Sequence, residues 1–261
     1  MKVSLILPSF CRSKLLNLGL FSLSQQIINH DLEILVINDG IKDNTEHWCE
    51  QYWNKLNIRY IFTGHRNIEG IKFRSPSIAL NIGIKQASGD IIILSCPEVF
   101  HLNNTIDNII EPLLNNTKII SSHGKTYFDN TSELTNSLLK KPVYNLTGAL
   151  LDLQLEHDTH RCEYSKKLPF CMGMYKKELI NIGGYDEDFT GWGADDDDLV
   201  NRLQLNGLKY AYTNARIIHL YHGKQYDRGN FDNKEYQHNL KLFKERKDII
   251  VRNKDRVWGI L

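Results

Sequence analysis

The chain is poor in the features that announce simple functional classes. Its 261 residues hold five cysteines, Cys11, Cys49, Cys96, Cys162 and Cys171. Their number is odd, their spacing is wide and no two form a Cys-x-x-Cys pair, which excludes a disulfide framework and a zinc ribbon. No apolar run approaches the roughly 20 residues of a membrane span. The opening "MKVSLILP" is shorter than a signal-peptide core and is stopped by Pro8, so it reads as a first strand. An excess of one charge is lacking too: 32 Lys and Arg face 31 Asp and Glu, a formal net charge of +1. That balance gives no global footprint for nucleic acid. Neither the Gly-x-Gly-x-x-Gly of a dinucleotide site nor the phosphate-loop pattern is present, so a bound nucleotide would be gripped mainly by side chains. There is no internal repeat and no low-complexity linker. A reducing cytoplasm fits these absences, with at most peripheral contact at the inner face of a membrane.

What is present is ordinary globular composition, 41% hydrophobic and 24% charged. "VSLIL" (3–7), "LEILVI" (32–37), "IRYIF" (58–62) and "DIIIL" (90–94) are short apolar runs rich in branched residues. Helical patterns lie between them at 13–27, 45–56 and 77–87. Strand alternating with helix predicts an α/β fold, a mostly parallel sheet with helices on both faces. The second half is less regular. Short helices are predicted at 176–184 and 195–207, a strand at 215–222 and a charged terminal helix from about 234 to 247.

Ligands of open parallel sheets bind at the carboxyl ends of the strands. Those ends read Pro8-Ser9-Phe10-Cys11-Arg12, Asn38-Asp39-Gly40, Thr63-Gly64-His65-Arg66-Asn67 and Ser95-Cys96-Pro97-Glu98. All are polar and two carry a carboxylate. Asp39 suits the hydrogen bonds of a pyrimidine or a ribose, and equally suits a turn. Lys72 and Arg74 either reach a diphosphate or are solvated loop charges. In "GWGADDDDLVNRL" (191–203) four carboxylates stand in a row. Acidic residues at a helix start are favoured by the helix dipole, by about 0.3–1 kcal/mol each. Successive helical residues point about 100° apart, so only one or two of the four can face a cleft. Trp192 is either a core aromatic in a tight turn or a flat platform for a sugar face. His219 and His222, three apart in a strand-like stretch, are expected to face opposite ways.

These segments, in this order, resemble a family 2 glycosyltransferase of the GT-A fold. "VSLILPSFCR" resembles that family's opening strand and turn, and "LEILVINDGIKDNT" its second strand with an Asp-Asp-Gly-Ser turn. "ALNIGIKQASGDIIIL" resembles the helix and strand that lead to its metal motif. "GGYDEDFTGWGADDDDLVNRL" resembles the Gly-Trp-Gly-x-Glu-Asp block of galactosyl- and N-acetylgalactosaminyl-transferases. The match runs from about Val3 to His222. It implies a single domain over 1–261, with a nucleotide-binding half (1–100), an acceptor and catalytic half (101–222) and a C-terminal lid and helix (223–261). It further implies a nucleotide-diphosphate sugar donor, UDP-linked, a saccharide or glycoconjugate acceptor, and transfer with inversion. The divalent cation it implies would be Mn²⁺ in preference to Mg²⁺.

Residue by residue, the resemblance makes Asp196 the general base, with Asp195 in the place of the Glu. Pro8, Ser9, Arg12 and Asp39 would line the nucleotide pocket, Lys72 and Arg74 would reach the diphosphate, and Trp192 would meet the sugar. Glu98 would hold the metal together with His219, or with His222 as second choice. Lys224 and Arg228 would belong to the lid. Two departures stand out. Asn38 replaces the first carboxylate of the Asp-Asp turn, and Cys96-Pro97-Glu98 replaces the Asp-x-Asp metal motif. The second departure favours a rival of another class, a weakened transferase-like module that binds glycans or nucleotides. The Asp195-Asp196 pair counts against it. A nucleotidyltransferase would need a Gly-rich basic loop after the first strand, where "PSFCRSKLL" has none.

Overall fold

The computed structural model of the protein describes residues 1–64, 75–144, 156–158, 171–223 and 233–261. In chain order its elements are β1 (Lys2–Ser9), α1 (Ser13–Leu23), β2 (Asp31–Asn38), α2 (Thr45–Tyr52), β3 (Ile58–Phe62), α3 (Ser77–Gln86) and β4 (Ile91–Ser95). Then come β5 (Val99–His101), α4 (Thr105–Asn115), β6 (Ile119–Ser122), β7 (Lys125–Phe128), α5 (Glu133–Lys140), β8 (Glu156–Asp158) and β9 (Cys171–Tyr175). The last are α6 (Lys176–Asn181), α7 (Asp195–Leu205), β10 (Lys209–Tyr212), β11 (Arg216–His219) and α8 (Asn233–Arg246).

A seven-stranded sheet runs β10-β6-β9-β4-β1-β2-β3. Strands β1, β2, β3 and β4 are parallel neighbours, as alternating strand and helix dictates. Alternation along each strand feeds two cores. Val3, Leu5, Leu7, Ile34, Val36, Ile91 and Ile93 pack with α1 and α4 on one face. Ile6, Leu35, Ile37, Ile92 and Leu94 pack with α3, α6 and α7 on the other. The expected mixed α/β architecture is therefore observed, with a mostly parallel central sheet.

The sheet is not wholly parallel. β9 inserts between β4 and β6, antiparallel to both. Its Gly173 has no room for a side chain, because a Cβ there would come 2.6 Å from Ile109 of α4. The strand is thus pressed flat beneath a helix. A second sheet, β5-β11-β7-β8, carries β11 alongside the turn that leaves β4. The Leu220 N–H donates to the Glu98 carbonyl at 2.8 Å. The ends of β1, β2, β4 and β11 thereby meet at one edge of the molecule. Among the described residues no helix is long and apolar enough to cross a membrane.

The chain after α8 straps this assembly. The Arg252 N–H donates to the Ile182 carbonyl at 3.0 Å, and Asn253 Nδ2 donates to the Gly183 carbonyl at 2.8 Å. Lys85 of α3 lies over the Trp258 ring, 3.9 Å from its centroid. The strap pins the loop between α6 and α7.

Candidate active site

The ends of β1 and β2 are tied together, the Asp39 N–H donating to the Ser9 carbonyl at 2.8 Å. Ser9 is buried and its hydroxyl lies 3.3 Å from that of Thr45. Pro8 beside it is half-buried. Asp39 is buried and accepts a hydrogen bond from the Thr63 hydroxyl at 2.9 Å. The neighbouring amide has a physical reason to be an amide. Asn38 Nδ2 donates to Asp43 Oδ1 at 3.3 Å and to the Tyr60 hydroxyl at 3.1 Å. An aspartate at position 38 would set two carboxylates against each other there. Cys11, between these strand ends and α1, has a left-handed backbone, φ 54°. It borders an open cavity of about 440 Å³, which Arg12, Asp43, Asn136, Tyr221 and His222 also line.

Arg12 Nε sits 2.9 Å from Glu98 Oε1. Burial opposes a charge on Glu98, but His222, His219 and Arg12 outweigh it and lower the carboxyl below its usual range. Glu98 is therefore a carboxylate. Burial brings His219 down to about 4 in spite of Glu98, so its imidazole is neutral at pH 7 and its charge supports Glu98 only in acid. The two histidines do not diverge as strand alternation predicts. β11 ends at His219, the chain then turns, and the two rings come within 5.0 Å. Burial, and then the charges of Glu98 and Asp196, keep Cys96 a neutral thiol.

An ionised carboxylate and a neutral imidazole are donors that a divalent ion such as Mn²⁺ accepts. The chemistry of Glu98, His219 and His222 thus fits a metal. Among the described residues, however, no three His, Cys, Asp or Glu side chains are gathered as a ready ligand set.

α7 is built differently from a side-chain-capped helix. Its cap is Ala194, at a left-handed φ of 67°, with no side-chain cap hydrogen bond. A non-glycine residue in that region is strained. Gly191 and Gly193 before it also have positive φ, 62° and 91°. A Cβ on Gly193 would come 2.7 Å from the Tyr236 ring, so this glycine admits α8. Trp192 is 37% exposed, with its ring centroid 4.7 Å from that of Tyr236.

The four carboxylates then part company. Asp198 turns into the core, with Arg202 Nε at 2.7 Å and Arg252 Nη2 at 2.8 Å. Arg252 and Arg246 also grip the buried Asp186, at 2.9 and 2.7 Å. Asp197 is half-buried. Asp195 and Asp196 have hydroxyl donors instead: the Ser75 hydroxyl reaches Asp195 Oδ2 at 3.2 Å, and the Tyr185 hydroxyl reaches Asp196 Oδ1 at 3.1 Å. Among the described residues no ion pair engages either. Burial raises the pKa of Asp195, against hydrogen bonds from the backbone and Ser75. Burial, then repulsion from Asp195, pushes Asp196 well above the usual carboxyl range, and the Tyr185 hydrogen bond only partly offsets it. That is the electrostatic setting of an acid–base group.

Of the sequence-predicted residues, the fold gathers Arg12, Glu98, His219 and His222 into one cluster, and Cys96 links it electrostatically to Asp196. Pro8, Ser9 and Asp39 line the adjoining strand ends. Lys72, Arg74, Lys224 and Arg228 lie outside the described residues. Ser75 and Tyr185 escaped the sequence reading. The only signal for Tyr185 was general: a buried tyrosine needs a partner for its hydroxyl.

Residues 4–174 match the model of glycosyl transferase family 2, and residues 151–224 match one described as the N-terminal domain of galactosyltransferase. The chain is 26% identical to a chondroitin synthase of Pasteurella multocida over 96% of its own length and 28% of the relative's. It is 26% identical to a hyaluronan synthase of the same species over 92% of its own length and 26% of the relative's. The chain thus spans about a quarter of the length of these two relatives. Among solved structures, Staphylococcus aureus TarS 1–349 in complex with UDP superposes with a TM-score of 0.63 at 18% identity, covering 93% of this chain and 64% of that one. GalNAc-T7 with UDP, GalNAc and Mn²⁺ superposes with a TM-score of 0.62 at 14% identity, covering 94% of this chain and 49% of that one. These likenesses establish a GT-A fold. The family-model match covers well over half of the residues, and the chain belongs to glycosyl transferase family 2.

Proposed function

We propose that the protein transfers a sugar from a UDP-linked donor to a hydroxyl of a saccharide acceptor, with inversion at the anomeric carbon. The observation that carries this reading is the Asp195-Asp196 pair, Asp195 buried and Asp196 half-buried, without a cationic partner among the described residues and within electrostatic reach of Cys96 in the turn that leads to Glu98. In the reaction, Asp196 takes the proton as the acceptor O–H bond breaks. The acceptor oxygen bonds to the anomeric carbon, and the bond from that carbon to the diphosphate oxygen breaks, its electron pair leaving on the nucleotide. Such a base contributes about 10²–10⁴-fold. Asp195 orients the acceptor beside it.

Asp39, Pro8 and Ser9 hold the base and ribose of the donor, and Arg12 is poised next to its phosphates. Lys72 and Arg74 belong to the same reading, as does Trp192 as a sugar platform. A divalent cation, Mn²⁺ better than Mg²⁺, would be held by Glu98 and His219, with His222 as the alternative nitrogen, and would neutralise the charge developing on the leaving diphosphate. On this reading residues 1–100 serve the nucleotide, 101–222 the acceptor and 223–261 a lid and helix.

A second reading, a binding module that has lost catalysis, draws on Cys96 at the first metal-motif position and on the lack of a preassembled ligand triad among the described residues. One assay separates the two. The protein is given UDP-glucose, UDP-galactose, UDP-N-acetylglucosamine, UDP-N-acetylgalactosamine or UDP-glucuronate, with Mn²⁺ and chondroitin or hyaluronan oligosaccharides. Release of UDP with lengthening of the oligosaccharide supports transfer. Thermal protection by UDP-sugars without release supports the binding module.

A further inference from the structure

Tyr185 is fully buried and has no place in the reaction as written, yet its hydroxyl points at the proposed base. We propose that Tyr185 is a positioning residue for sugar transfer, its hydroxyl fixing one oxygen of Asp196 so that the other is presented to the acceptor. The inference rests on the reading of Asp196 as the base.

The phenol is aimed by its backbone, which has almost no freedom. The Tyr185 N–H donates to Asn81 Oδ1 at 2.8 Å. Its carbonyl accepts from Asn81 Nδ2 at 2.9 Å and from Asn253 Nδ2 at 2.7 Å. Asn81 belongs to α3 and Asn253 to the C-terminal strap, so two separate parts of the chain grip one peptide unit. Gly184 before it has a φ of 66°, and a Cβ there would come 2.7 Å from the Trp258 ring. Three hydrogen bonds and a packed glycine thus hold the main chain, and burial holds the ring.

The arrangement has a chemical purpose. A carboxylate on a helix start can rotate about its terminal bond, and a base with two equivalent oxygens meets the acceptor in several orientations. One donor on one oxygen removes that freedom. The same donor favours the ionised form, the form that accepts a proton. That help is needed, because among the described residues the other titratable groups facing Asp196 oppose its charge or carry none: Asp195 and Asp197 on α7, and the neutral Cys96 thiol from the turn after β4. Ser75 performs the corresponding service for Asp195, so two adjacent carboxylates are held by two different hydroxyls.

The test compares the parent, Tyr185→Phe and Asp196→Asn across pH 5.5–9.5. Turnover is read with the UDP-sugar and oligosaccharide that are active in the assay above. Tyr185→Phe removes one oxygen from a site that keeps its ring. It is expected to lower kcat about tenfold at neutral pH. Its acid limb should move to higher pH, so that the loss shrinks in alkali while donor KM holds. A profile that superposes on the parent, or is scaled down equally at every pH, overturns the positioning role and leaves the base intact. Turnover of Asp196→Asn within a few-fold of the parent overturns the base itself, and the inference with it. Should Tyr185→Phe prove unstable, a double-mutant cycle with Asp196→Ala, read by thermal unfolding at pH 6 and 9, takes its place. Coupling that is larger at pH 9 is expected, and none at either pH overturns the contact.

Discussion

Two carboxylates on the same turn of α7, Asp198 and Asp196, live in opposite worlds. Asp198 is wholly buried between Arg202 and Arg252. It joins α7 to the C-terminal strap and, through Arg252, to Asp186. Its charge is answered by two guanidinium groups and is spent on holding the fold. Asp196 is answered by a phenol, and its nearest charged neighbour on the helix is another acid. The difference teaches how a run of four acids can be tolerated. One member is paired with buried arginines, and two are held by hydroxyls with no cationic partner among the described residues. A third case shows that close hydrogen-bond donors, with a more distant guanidinium, can settle a carboxylate. Glu33 accepts from the hydroxyls of Ser4 and Ser88 and from the Ser88 N–H. Burial alone would raise its pKa, yet those bonds, with Arg59, bring it down to about 2.

The comparison can be broken at several points. The largest effect expected is on stability. Asp198→Ala leaves Arg202 buried without a carboxylate and Arg252 with Asp186 alone, which costs about 3–5 kcal/mol in urea unfolding. Next is the cluster at the strand ends. Glu98→Ala and His219→Ala should each lower transfer about 10²–10³-fold with little change in unfolding, and EDTA should abolish it. Full activity in EDTA would refute the metal. Damage from His222→Ala in place of His219→Ala would keep the metal and exchange the ligand. Asp39→Ala should weaken UDP binding about tenfold in a calorimetric titration, raising KM more than it lowers kcat.

The smallest effect is confined to acid. The Glu33 pKa is depressed in the fold, so the stability it contributes is present above about pH 4.5 and is lost as pH falls towards 2. Glu33→Gln should flatten that part of the stability profile. An unchanged acid slope would mean that the serine donors do not hold the charge.

In the first half of the fold β1, β2 and β4 were legible because the centre of the sheet buries both of their faces and fills them with Leu, Ile and Val. "LEILVI" and "DIIIL" became β2 and β4 almost to the residue. β9 was not legible. "CMGMY" has no β-branched residue, and its central glycine reads as a break until α4 is seen pressing on it. That the four acids would part was legible from the helix period, but which of them turns to the core was not, since Arg252 reaches Asp198 across 54 residues of sequence. The histidines misled for a local reason: period-two alternation holds only inside a strand, and β11 stops at the first of them. The glycines around Trp192 were legible as special but not in their purpose, because Gly193 makes room for Tyr236 of α8.

The central claim is that Asp196 serves chemistry while its neighbour Asp198 serves the fold. The most direct measurement is transfer rate, UDP affinity and thermal midpoint on one preparation of Asp196→Asn beside the parent. Asparagine keeps the shape and still accepts the Tyr185 hydrogen bond, but takes no proton at neutral pH. The account predicts transfer reduced by about 10²–10⁴-fold with UDP affinity and midpoint unchanged. Transfer within a few-fold of the parent would contradict it.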